Sequence, residues 1–194
     1  MSPAAAASHS LAEGGLPTKG RVGMACLILT ESSFFAIFVV AHLFYAGKSL
    51  SGPYENVLEA PVLASICLLS SSLSIVLAIR ALGRGARTAF LGWWALTIAL
   101  GLEFLLATGF EWARLIGQGL TIRSNLLGTT YYSLVGFHAL HVTLGLAMLS
   151  LVLVLGIGGH VRARDAERCE LLSWYWHFVD VVWIVVFTTV YVVR

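Results

Sequence analysis

Eight side chains capable of acid–base or metal chemistry lie within or at the ends of long apolar stretches of this sequence. Ionisable groups are costly in such surroundings, and where the stretches cross a membrane these groups usually mark function. Their types suit proton transfer, metal or haem ligation, or hydrogen bonding between helices. The residues are Glu31, His42, Glu103, Glu111, His138, His141, His177 and Asp180.

Two pairs of these residues are spaced to share one face of a helix. His138 and His141 are three residues apart, as are His177 and Asp180, and positions i and i+3 are neighbours on a helix. Both patterns could ligate a metal or haem iron. Hydrogen bonding between helices, at about 0.6–2 kcal/mol per bond, is the commoner use in membranes. We therefore expect these four residues and Glu111 to form a structural polar network that joins the helix carrying His138 and His141 to the helix carrying His177 and Asp180.

Glu31 is harder to explain by packing alone. It stands between Thr30 and Ser32 in the first apolar stretch. A carboxyl group buried in an apolar environment tends to hold a proton, so one interpretation is a protonated Glu31 bonded to a neighbouring helix. A functional role is the other interpretation, and the residues by themselves leave both open.

Cysteine usage and charge exclude several classes of site. Cys26, Cys67 and Cys169 are far apart, and neither CxxC nor CxxCH occurs. Covalent haem attachment, a zinc ribbon and a redox dithiol therefore lack support. A net charge of +2 without a basic run gives no support for nucleic-acid binding.

Composition and hydropathy place the chain in a membrane. Of 194 residues, 58% are hydrophobic and 11% are charged, against roughly 25% charged residues in soluble domains. Five apolar stretches each supply the roughly 17–25 residues of a spanning helix, and helices bond their backbone groups internally. We predict an all-α integral membrane bundle of five transmembrane helices, at about 22–46, 60–80, 88–112, 127–156 and 172–193.

The segments outside the spans divide the chain and orient it. Residues 1–19 are predicted to be a disordered tail ahead of a transmembrane domain at 20–194, and the polar stretch 160–170 is predicted to be the last loop. Eight Lys and Arg residues fall on the amino-terminal side of the bundle and four on the other side. The positive-inside rule then places the N-terminus in the cytoplasm and the C-terminus outside.

Four motifs, in order along the chain, resemble the subunit III family of haem–copper oxidases. Residues 174–183 (WYWHFVDVVW) are similar to the signature of the family's last helix. Residues 136–142 (GFHALHV) match a family pattern with Ala139 in place of glycine, while 30–35 (TESSFF) and 58–63 (LEAPVL) resemble the glutamate-bearing helix and the start of the next. The resemblance is closest to the five-helix bacterial cytochrome c oxidase subunit III.

The resemblance implies an accessory subunit of a proton-pumping terminal oxidase of aerobic respiration in the bacterial plasma membrane. Such a subunit packs on subunit I, beside subunit II and other chains, and binds phospholipid. Haem and copper lie in the partner subunits, so no catalytic or metal-ligating residue is assigned to this chain. By matched position, Glu31 would support proton uptake, and Arg21, with His160 and Arg162 as looser matches, would bind lipid.

Several alternatives stay open at this point. The family's long form has seven helices, and its first two have no counterpart here. Quinol oxidases and a nitric-oxide-reductase-associated protein also have five-helix subunits of this kind, although Glu31 and the pair Tyr175–Trp176 favour the cytochrome c branch. From other classes, an intramembrane haem protein with histidine ligands and a proton-coupled transporter using Glu31 and Asp180 remain.

Overall fold

The computed structural model describes residues 18–46 and 58–193, and within these ranges the chain is helical without strands. Five helices are long and apolar enough to cross a membrane, which confirms the predicted all-α bundle. A 3₁₀ turn, Ala163–Asp165, leads into the last helix, and a π-helical turn, Thr188–Val192, ends it. The helices are α1 (Lys19–Ala46), α2 (Val62–Gly83), α3 (Arg87–Gly117), α4 (Leu126–Ile157) and α5 (Ala166–Phe187).

Most helix ends lie beyond the predicted spans, because hydropathy marks only the part of a helix that lies in hydrocarbon; α2, which begins at Val62 instead of residue 60, is an exception. Helix α5 begins at Ala166, so half of the polar stretch predicted as the last loop is helical. The backbone N–H of Arg162 donates to the Asp165 carboxylate at 3.1 Å, and this hydrogen bond stabilises the turn that leads into α5. Most of the predicted tail, residues 47–57 and Arg194 lie outside the described residues.

The connections between α2, α3, α4 and α5 are short, so each of these helices runs antiparallel to the one before it. Gly85 and Gly159 occupy the turns before α3 and α5 with φ of 72° and 76°, a conformation that costs glycine least. Helix α2 packs mainly against α3, while α5 contacts α1, α2 and α4. Helix α1, which packs against α4 and α5, is the least buried of the five.

Two contacts show that the basic ends of the helices share one end of the bundle. The Arg87 guanidinium, at the start of α3, donates to the carbonyls of Gly156 and Ile157 at 3.0 and 2.9 Å. It thereby satisfies carbonyl groups that the end of α4 leaves without helical partners. Arg21 of α1 lies 3.3 Å from Glu170 of α5. The excess of basic residues thus lies at one end of the bundle, and the placement of that end in the cytoplasm stays a prediction.

Candidate functional site

Glu31 and His141 form a polar pair between α1 and α4. Glu31 Oε2 lies 3.2 Å from His141 Nε2, and His141 Nδ1 lies 2.8 Å from the carbonyl oxygen of Phe137. Since a carbonyl only accepts, Nδ1 carries a proton. Nε2 then either accepts a hydrogen bond from a protonated Glu31 or, in a charged ring, donates one to the Glu31 carboxylate. The pair can therefore hold one proton in two ways, on the carboxyl group or on the ring.

This pair lies near mid-membrane depth and is partly open. Glu31 is twelve residues after the first residue of α1, about 18 Å along the axis at 1.5 Å per residue. Its side chain is 26% exposed, against 8% for His141. The Phe35 ring lies edge-on to the imidazole at 5.1 Å, and the Tyr175 hydroxyl donates to the His141 carbonyl at 3.2 Å. Three helices thus position the pair.

A second group joins α2 to α5 through Ser72. The Ser72 hydroxyl donates a short hydrogen bond to Asp180 Oδ2 and lies 2.8 Å from His177 Nδ1. Because the hydroxyl proton is used on Asp180, Nδ1 is the donor to Ser72. His177 Nε2 then accepts from Ser173 at 3.1 Å. The result is a directed chain of hydrogen bonds, Ser173 to His177 to Ser72 to Asp180.

The network predicted from spacing is therefore divided among separate places. His177 and Asp180 bond to Ser72 on α2, and neither makes the expected side-chain bond to His138 or His141 on α4. His138 is fully buried and stacks on Trp183 with ring centroids 5.0 Å apart. Both of its ring nitrogens lack a hydrogen-bond partner among the described residues. Its contacts are thus aromatic.

Glu111 lies near the C-terminal end of α3, apart from the histidines. Arg114 holds it in a two-pronged contact, with Nε–Oε2 and Nη2–Oε1 distances of 3.1 and 2.7 Å. The same guanidinium lies 2.9 Å from Glu59, just before α2. His42, near the end of α1, has its Nδ1 3.1 Å from the hydroxyl of Thr130, near the start of α4. Arg114, which Glu111 holds in place, therefore ties α3 to the segment that precedes α2.

The three candidate lipid ligands do not form one cluster. Arg21 lies against Glu167 and Glu170 at 3.8 and 3.3 Å and 6.0 Å from the centre of the Trp174 ring. His160 and Arg162 are exposed in the connection between α4 and α5. His160 there lines a cavity of about 130 Å³ together with Asp165 and Arg168.

Sequence reasoning missed the serines that accept from buried tryptophans. Trp176 Nε1 donates to Ser71 at 2.7 Å, and Trp183 Nε1 donates to Ser65 at 2.9 Å. The signal was present as a serine-rich α2 and two tryptophans seven residues apart, but their pairing depends on how α2 and α5 are aligned.

No group of three or more His, Cys, Asp or Glu side chains suited to a metal ion occurs in the described ranges. The polar side chains described above form hydrogen bonds between helices, and they include the histidines and the glutamate of the motifs quoted above.

Comparison with known proteins agrees with this chemistry. Residues 15–193 match the family described as cytochrome c oxidase subunit III. A probable cytochrome c oxidase subunit 3 of Mycobacterium leprae is 32% identical over 187 residues, which cover 96% of this chain and 92% of that protein. The Corynebacterium diphtheriae subunit 3 is 33% identical, covering 97% and 95%. The Lemur catta subunit 3 is 34% identical, covering 88% of this chain and 65% of its own length.

These matches confirm the resemblance drawn from the four motifs. They also account for the five spans, since bacterial members of this family are multi-pass proteins of the plasma membrane. The chain belongs to the cytochrome c oxidase subunit III family, the accessory subunit of haem–copper oxidases.

Proposed function

We propose that this chain packs directly on subunit I of a proton-pumping cytochrome c oxidase and supports proton uptake by that subunit. The observation that carries the proposal is the Glu31–His141 pair at 3.2 Å. Glu31 places a carboxyl group at mid-membrane depth on α1, the least buried helix, where a packing residue would be apolar. Subunit I performs the oxygen chemistry.

The physical argument rests on the cost of the carboxyl group. A buried acid that lacks a partner costs several kcal/mol, and the contact with His141 offsets that cost only while one proton is shared. A partly open pair that holds a proton can buffer proton supply and keep α1 fixed against α4. Loss of the pair should therefore affect sustained turnover more than the first turnovers.

The test is turnover of the complete oxidase carrying Glu31→Ala or Glu31→Gln. We expect the Ala variant to assemble and start at the normal rate, then to lose activity faster than wild type. The Gln variant should be milder, because an amide can still donate to His141. Ser33→Ala is the matched control, since Ser33 is exposed and, among the described residues, bonds only the Leu29 carbonyl of its own helix, at 3.0 Å.

Two outcomes contradict the supporting role. Initial activity abolished in an assembled Glu31→Ala oxidase would make Glu31 part of the chemistry itself. Wild-type behaviour of both variants through prolonged turnover would make the pair structural.

We further propose that the haem and copper of the complex are held by its other subunits. His42, His141 and His177 make side-chain hydrogen bonds, and His138 stacks on an aromatic ring. The separated subunit should show no Soret band and less than one equivalent of iron, copper or zinc. One tightly held metal equivalent that is lost on His141→Ala would contradict this.

The electron donor that we propose is cytochrome c. Glu31 and the Tyr175–Trp176 pair favour this branch over the quinol oxidases, and the relatives above bear the name cytochrome c oxidase. Purification of the tagged chain in mild detergent should recover subunit I and subunit II with cytochrome c oxidase activity. Recovery of a complex that oxidises only quinol would contradict the assignment.

A further inference from the structure

Glu103 is an ionisable residue at the middle of α3 that none of the four family motifs contains. It lies sixteen residues after Arg87 and fourteen before Gly117. At 1.5 Å per residue these separations are about 24 and 21 Å. Because the hydrocarbon core is about 30 Å thick, the side chain lies close to the bilayer centre.

The bundle itself only partly satisfies this carboxyl group. Glu103 Oε2 has no hydrogen-bond partner among the described residues. The Cys67 thiol of α2 neighbours the carboxyl group, and a thiol is a weak donor. Oε2 is itself buried in the bundle, but the side chain as a whole is only half-buried and lines the outer surface of α3. A carboxyl group at this depth is costly unless it is bonded, so its outward-facing part favours a donor from another chain.

The carboxyl group borders a groove on the outer side of α3. The groove encloses about 450 Å³, and Glu103 is its one ionisable lining residue. Three of the others, Leu102, Leu106 and Phe110, are exposed, and the remaining two, Ala99 and Ala107, have small side chains that allow another helix to approach closely.

We propose that this groove, defined by Glu103 and its five apolar lining residues, receives a transmembrane helix of another oxidase subunit that donates a hydrogen bond to Glu103. Depth decides between the possible occupants. A lipid head group lies about 15 Å from the bilayer centre, and lipid tails have no donor. A membrane helix carrying Ser, Thr, Asn, Gln, Tyr or a basic residue supplies one at that depth. The inference does not depend on the role of Glu31.

Photocrosslinking in native membranes tests the occupant. A benzophenone-bearing residue replaces Leu106, which is 55% exposed in the groove, and Leu144 on α4, 50% exposed, is the control at similar depth. We expect the Leu106 position to crosslink a transmembrane peptide of another subunit with a donor side chain within one turn. Products with lipid only, with a second copy of this chain, or identical products from both positions would overturn the proposal.

Substitution of Glu103 in the assembled oxidase tests the hydrogen bond. Glu103→Leu should raise the ratio of lost to retained crosslinked subunit on detergent washing by roughly threefold to thirtyfold, the range for one hydrogen bond between membrane helices. Glu103→Gln should stay near wild type, because it can accept the same bond. Equal retention by the Leu variant and wild type would overturn the proposal. Should the Leu variant not fold, the crosslink, made with Glu103 intact, decides alone.

Discussion

The indole ring of Trp176 lies against the backbone of Gly145, so that a β-carbon at this glycine would come within 2.8 Å of the ring. Gly101 on α3 is equally close on another side, at 2.8 Å. The indole is fully buried, and its Nε1 bonds to Ser71 on α2. One side chain of α5 thus sets the approach of three other helices.

Gly145→Ala should destabilise the bundle by about 1–3 kcal/mol, the usual cost of adding a methyl group to a tightly packed site. Thermal unfolding of the purified subunit in detergent measures this. Gly109→Ala is the control, because Gly109 is exposed and nothing lies within 4 Å of its β-carbon position. Equal unfolding temperatures for the two variants would show that the Trp176 ring moves aside at little cost.

Ser71→Ala should destabilise the same bundle by about 0.6–2 kcal/mol, since it leaves the buried Trp176 indole without its acceptor. Ser70→Ala is a neighbouring control, because within the part of the chain that the structure describes the exposed Ser70 hydroxyl bonds only the Cys67 carbonyl of its own helix, at 2.9 Å. Comparable stability losses in both variants would mean that the hydroxyl of Ser71 acts by local helix effects.

Alkaline phosphatase, which folds only outside the cytoplasm, reports the orientation. Fused after Arg194 it should be active, and fused in the turn near Arg84 it should be inactive. The reason is the excess of basic residues at the end of the bundle where α2 turns into α3. The reverse pattern of activities would place the N-terminus outside.

Lipid retention should depend on the basic residues at that same end. Replacing Arg21 and Arg162 together with Ala should lower retained phospholipid and weaken association with subunit I, at about 1 kcal/mol of head-group attraction per basic residue. Loss of Arg21 also leaves Glu167 and Glu170 without their cation. The two carboxylates then repel anionic head groups. Arg123→Ala, at the opposite end, should retain lipid normally; phosphorus analysis after detergent washing compares the three proteins. Wild-type lipid content in the double variant would count against these sites.

The helix count, the all-α class and the family could be predicted from the amino-acid sequence alone. Spanning helices depend on the local run of apolar residues, because each must satisfy its own backbone in lipid. The family motifs are likewise contiguous words, such as residues 174–183. Local information was sufficient for the spans and for the motifs. The helix ends differ from the prediction, since polar turns such as residues 166–170 continue the helix outside the hydrocarbon.

Only the tertiary structure decided which polar groups meet. The i,i+3 spacing of His177 and Asp180 correctly places them on one face of α5, yet their partner is Ser72, one of several serines on α2. Which serine meets which side chain depends on the rotation and axial offset between two helices, and the close fit of Trp176 against Gly145 helps to set these. Such offsets arise from packing between distant segments, so no local pattern in either helix contains them.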